Sequence, residues 1–176
     1  MTSILFIGLL GVLFVIVFKR PILGNLGRNN KWVHKLKNVK WFQNHWLAGL
    51  FLFVMNAVLF LLTGIVLRIL GYFVIPYVHL LIMFLAVIGS IYLWGLIHNA
   101  WEGSKRNRMK LGALGSSFYM LLTFTFVYWF VTLKPSYPGE DTFMRAISLL
   151  FAIIVAAVAF ITCFIMTGFS KKKEAI

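Results

Sequence analysis

Four histidines, one cysteine and four carboxylates make up the sequence's stock of metal-ligating side chains. Two histidines, His45 and His98, fall at similar depths at the ends of neighbouring apolar runs. A converging pair of imidazoles is a way to hold a haem iron or another transition metal. No motif frames the pair, and no carboxylate second shell is evident. His79 precedes His98 by nineteen residues. On a helix that is about 28 Å, too far to share one ligand.

Nucleophiles are no more productive. Gly115-Ser116-Ser117 does not match a nucleophile elbow, and small residues at a helix contact explain the run better. Cys163 has no histidine at its depth in its own run, and a free cysteine packs as a small hydrophobe. No catalytic residue is assigned, and no cofactor is expected. His45 and His98 stand as the candidate haem or metal ligands. Asn56 is the most deeply placed polar side chain, near the middle of an apolar run. An amide there is expected to bond across helices, at about 1 kcal/mol.

The elements that must position these residues follow from composition. Of 176 residues, 61% are hydrophobic and 12% charged, with a mean hydropathy of +0.92. Soluble domains run near 45–50% apolar and about 25% charged. The balance excludes a water-soluble domain, a disordered chain and a disulfide scaffold. A spanning helix needs about 20 apolar residues. Five runs approach or meet that: 2–18, 46–67, 77–100, 111–133 and 146–170. In lipid every backbone polar group must be satisfied internally, so each is read as a helix. All four prolines, Pro21, Pro76, Pro135 and Pro138, fall outside the runs. The expected fold is an all-α integral membrane protein, one membrane domain over residues 1–176 built as a bundle of five transmembrane helices.

Charge sets the expected orientation. Lys19, Arg20, Arg28, Lys31, Lys35, Lys37 and Lys40 follow the first run. Lys105, Arg106, Arg108 and Lys110 follow the third, and Lys171, Lys172 and Lys173 the fifth. Only Arg68, Lys134 and Arg145 fall on the other side. The positive-inside rule therefore places the N-terminus outside and the C-terminus inside. The first run lacks a preceding positive charge and is followed by Lys19-Arg20, the reverse of a signal peptide, so it is read as a retained helix. Trp32, Trp41, Trp46, Trp94 and Trp101 map to the inner interface. Tyr72, Tyr77, Tyr128, Trp129 and Tyr137 map to the outer one, as two anchoring belts.

Between the first two runs, Trp32, Leu36, Val39 and Phe42 recur at helical spacing, flanked by lysines. The pattern predicts a short basic amphipathic helix in the inner interface. Lys31, Lys35, Lys37 and Lys40 would meet lipid head groups there. Small-residue pairs Gly8/Gly11, Ala86/Ser90, Gly112/Ser116 and Ala152/Ala156 predict close helix contacts.

No Asp or Glu lies inside a run, which argues against carboxylate proton relays and coupling-ion sites. The formal charge of +13 points to anionic lipid rather than nucleic acid, because the cations sit between apolar runs. Three function classes remain. The first is a non-catalytic accessory, regulatory or interaction component of a bacterial cytoplasmic membrane, with a larger membrane protein or further copies of itself as partner. The second is a small transporter or channel subunit. The third is a haem- or metal-binding redox protein.

Overall fold

A computed structural model describes residues 10–12, 15–18, 23–24, 31–73, 77–135 and 141–169. It is helical, with no strand among the described residues. Four helices are long and apolar enough to cross a membrane: α2 (His45–Phe73), α3 (Val78–Ala100), α4 (Lys105–Val131) and α5 (Phe143–Gly168). They correspond to the second to fifth apolar runs. Most of the expected first span, with Gly8, lies outside the described residues; within it, residues 10–12 and 15–17 are helical. The chain is therefore a multi-pass, all-α membrane protein on its four described spans.

The helix ends depart from the apolar runs for local reasons. α2 continues through Arg68 and Gly71 to Phe73. Arg68 is exposed, and a long basic side chain is no helix breaker; the restriction comes later, before Pro76. At 1.5 Å per residue α2 reaches about 43 Å, longer than a hydrocarbon core of about 30 Å. α4 begins at Lys105, six residues before its apolar part, because the Ser104 hydroxyl accepts from the Asn107 amide at 3.4 Å. α5 starts early as well, its Phe143 amide donating to the Asp141 carboxylate at 2.8 Å. Tyr77 turns the chain into α3 with φ of 67°, the left-handed region that bulky residues rarely enter.

The segment before α2 is not one helix. α1 (Lys31–Lys37) ends where the Gln43 side chain donates to the Lys37 carbonyl at 3.0 Å, and a 3-10 turn follows at Lys40–Gln43. The predicted apolar stripe needs correction at one end. Val33 and Phe42 are buried, and Leu36 and Val39 pack against the same core. Trp32 instead faces outward, with the Lys35 ammonium 5.8 Å from its ring. α1 packs on the end of α3, so protein decides which face is buried.

The four long helices close a ring in the order α2, α4, α5, α3. Consecutive α3 and α4 face each other across the bundle through side chains, as where Trp94 and Tyr119 meet edge to face at 6.1 Å. Glycine permits close approaches of α4 to both α2 and α5. A methyl group on Gly115 would sit 2.2 Å from the Leu52 side chain, and one on Gly112 would sit 3.0 Å from the Gly168 backbone. Small residues allow this approach where lipid removes the hydrophobic drive. Of the expected small-residue pairs, Gly112/Ser116 is buried, and Ala156 is buried beside a half-buried Ala152. Among the described residues no atom lies within 4 Å of a methyl group placed on Gly11.

Burial is concentrated at one end. The buried residues of the long helices fall within 48–56, 94–100, 111–119 and 156–168. These stretches all belong to the end that carries Lys105, Arg106 and α1, here termed the basic end. The remainder of every long helix contains no buried residue among the described ones. The bundle is packed at its basic end and loose at the opposite end.

Candidate functional site

Hydroxyl groups along the spans are satisfied by their own helices. Thr63, Thr123, Thr125, Thr132, Ser148, Thr162 and Thr167 each donate to a carbonyl four residues back, and Ser116 and Ser117 to one three residues back. This is the local arrangement open to short hydroxylic side chains. The Ser116 and Ser117 hydroxyls are thus engaged by carbonyls of their own helix.

Asn56 has no such local solution, because its amide needs partners beyond its own turn. It finds them on three other helices. Its Nδ2 donates to the Gly115 carbonyl at 3.1 Å and lies 3.8 Å from Cys163 Sγ. The Trp94 indole N–H donates to Asn56 Oδ1 at 2.9 Å, and the Tyr119 hydroxyl reaches the same oxygen at 3.5 Å. Asn56 is 2% exposed and Cys163 fully buried. One amide thus joins α2, α3, α4 and α5 at one depth. The side chains of Asn56, Trp94, Tyr119 and Cys163 gather around that amide.

Sequence reasoning placed Asn56 and its bonding across helices but missed its partners. Trp94 was assigned to the interfacial belt, yet it is 4% exposed and serves as the main donor to Asn56. Trp101 likewise leaves the belt; it is buried, and its indole N–H donates to the Gln43 carbonyl at 3.2 Å. Trp32, Trp41 and Trp46 are exposed, and so are Tyr72, Tyr77, Tyr128 and Trp129. Tyr137 lies outside the described residues. Depth was the available signal, since Asn56, Trp94 and Tyr119 each stand well inside their apolar runs.

A second polar cluster closes the basic end. Gln43 is its organiser: Nε2 donates to the Ala100 carbonyl at 3.2 Å, and Oε1 accepts from the Glu102 amide at 2.9 Å. Arg108 donates through Nη2 to the Trp101 carbonyl at 2.9 Å and lies 5.7 Å from the Trp101 ring. Its Nη1 sits 3.4 Å from His98 Nε2, which must supply the lone pair because a guanidinium only donates. Asn99 donates to the Leu23 carbonyl at 2.8 Å, fastening the segment before α1 to α3.

The candidate ligands and lipid contacts fall around this cluster. His98, on the last turn of α3, directs Nε2 at a cation. His45 opens α2 beside the Trp46 ring at 5.6 Å, and its Nε2 is buried with no hydrogen-bond partner. Among the described residues no three His, Cys, Asp or Glu side chains gather closely enough to hold a metal ion. Lys31, Lys35 and Lys40 are exposed. Lys37 pairs with Glu102 at 2.7 Å, with both side chains well exposed. Such a pair contributes about 0–1 kcal/mol.

At the opposite end lie two open clefts. One, about 730 Å³, is lined by Trp129, Thr132, Lys134, Met144, Arg145 and Ser148 among others, where α4 ends and α5 begins. The other, about 240 Å³, runs between α2 and α3 past Leu59, Leu62, Val66, Ile82, Leu85 and Gly89. Compared with known proteins, the chain matches no family model, no curated protein and no solved structure.

Proposed function

We propose that this chain is a non-catalytic interaction component of a bacterial cytoplasmic membrane, with its basic end on the inner side and its N-terminus outside. In this reading the packed basic end is a rigid base. Lys31, Lys35, Lys37 and Lys40 hold that base against anionic lipid head groups. The loose halves of α2 and α3 are offered to a larger membrane protein, or to a further copy of the chain. One observation carries the reading. The polar groups inside the packed half bond to one another around Asn56, which suits a scaffold and leaves no charged lining for a transport path.

The test is in-cell photo-cross-linking from position 85, on the exposed α3 face, with position 32 as the control. A discrete adduct with one larger membrane protein from position 85 supports the reading. An adduct of twice the chain mass assigns the partner as a second copy. Adducts with lipid alone at position 85 would sink it, and solute or ion flux in proteoliposomes holding only this chain would move the assignment to a transporter or channel subunit.

A redox reading has one observation in its favour, the unpartnered and buried His45 Nε2. There His45 and His98 would be ligands to haem or metal. An absorption band near the Soret region that disappears in His45→Ala would establish it.

A further inference from the structure

We propose that Arg108 anchors a binding site for the phosphate of one anionic phospholipid at the basic end. The inference rests on that end lying among head groups, as proposed above, and is independent of the protein partner.

Arg108 is half-buried, and among the described residues no carboxylate pairs with it. Among the described residues the acids are Glu102 and Asp141. Glu102 is held by Lys37 at 2.7 Å. Asp141 caps the start of α5, at the opposite end of the bundle. The groups that do face Arg108 are neutral acceptors, the Trp101 carbonyl and His98 Nε2. They fix the guanidinium in place, and among the described residues no anion offsets its charge. A guanidinium has five N–H donors, and those two contacts leave the others directed elsewhere.

The neighbourhood adds charge of the same sign. Lys105 stands three residues before Arg108, on the same helical face, and is exposed. Like charges so spaced repel, and an anion between them relieves the repulsion. Arg108 lies one turn before buried Leu111, where the apolar part of α4 begins. That is head-group depth, at which the available anion is a phosphate diester. A planar guanidinium braced on an indole ring is well suited to grip one with paired hydrogen bonds. The lysines of α1 differ in kind: they are exposed and separate, a diffuse contact rather than a site.

The experiment uses the full chain in detergent, stripped of lipid and titrated with phosphatidylglycerol or phosphatidylcholine, with bound lipid counted by native mass spectrometry. The wild type should retain one phosphatidylglycerol under conditions that remove phosphatidylcholine. Arg108→Gln, which keeps a donor for the Trp101 carbonyl, should weaken that retention about tenfold, the loss of one charge-assisted contact. Arg68→Gln, an exposed cation towards the opposite end, should leave it unchanged; a loss there would show that retention follows overall charge and overturn the Arg108 site. Equal retention of both lipids, or full retention in Arg108→Gln, would also overturn it. Displacement by inorganic phosphate would overturn the lipid assignment. If Arg108→Gln does not fold, Lys105→Gln should still weaken retention severalfold, and no change in that variant would refute the site.

Discussion

The two ends of the bundle are built from the same kinds of residue and behave differently. At the basic end, glycines let α2, α4 and α5 touch, and Asn56 ties all four spans together. At the opposite end, helices just as apolar carry Gly64 and Gly71 against open space, and the α2–α3 interface opens into a cleft. Hydropathy cannot explain the contrast, because lipid is as good a solvent for leucine as another helix is. What differs is the presence of a close backbone approach and a shared polar group, the two forces that remain in a membrane.

Substitutions can break this contrast or sharpen it. The largest effect is expected from Gly115→Leu, which drives a branched side chain into the space held by Leu52. Overpacking of this kind costs about 3 kcal/mol, read as a lower unfolding midpoint in detergent. Next is Asn56→Ala, which leaves the Trp94 indole N–H buried without an acceptor. It should cost about 2 kcal/mol, and indole fluorescence should shift as Trp94 loosens. Smallest, and opposite in sign, is Gly64→Ala. No atom lies within 4 Å of the added methyl, so only helix propensity acts, and about 0.5 kcal/mol of stabilisation is expected. If Gly64→Ala destabilised as strongly as the changes at the basic end, the opposite half would be packed after all.

The spans were legible in the sequence because length and hydropathy suffice to identify a membrane helix. Their ends were less so. Lys105 to Lys110 read as a charged loop, yet a cap at Ser104 lets those residues form the first turns of α4. The Asn56 site was half legible. An isolated amide in an apolar run announces itself, whereas Trp94 and Tyr119 carry a polar tip on an apolar body and fit a belt equally well. The side facing the core was hidden for a related reason: helices apolar all round have no polar stripe to mark their outer face. At α1 the same ambiguity placed Trp32 on the buried face where Val33 belongs.

The positions of the Asn56 partners along the chain carry a consequence for biogenesis. They lie 38, 59, 63 and 107 residues further on. When the ribosome has delivered only the first of these spans, the amide is in the bilayer with nothing to bond. It gains its acceptor and donors in instalments as later hairpins emerge. Insertion and assembly are therefore separate events for this chain, and a truncation that ends before α4 would leave the Asn56 Nδ2 without its Gly115 acceptor, a recognisable orphan for membrane quality control.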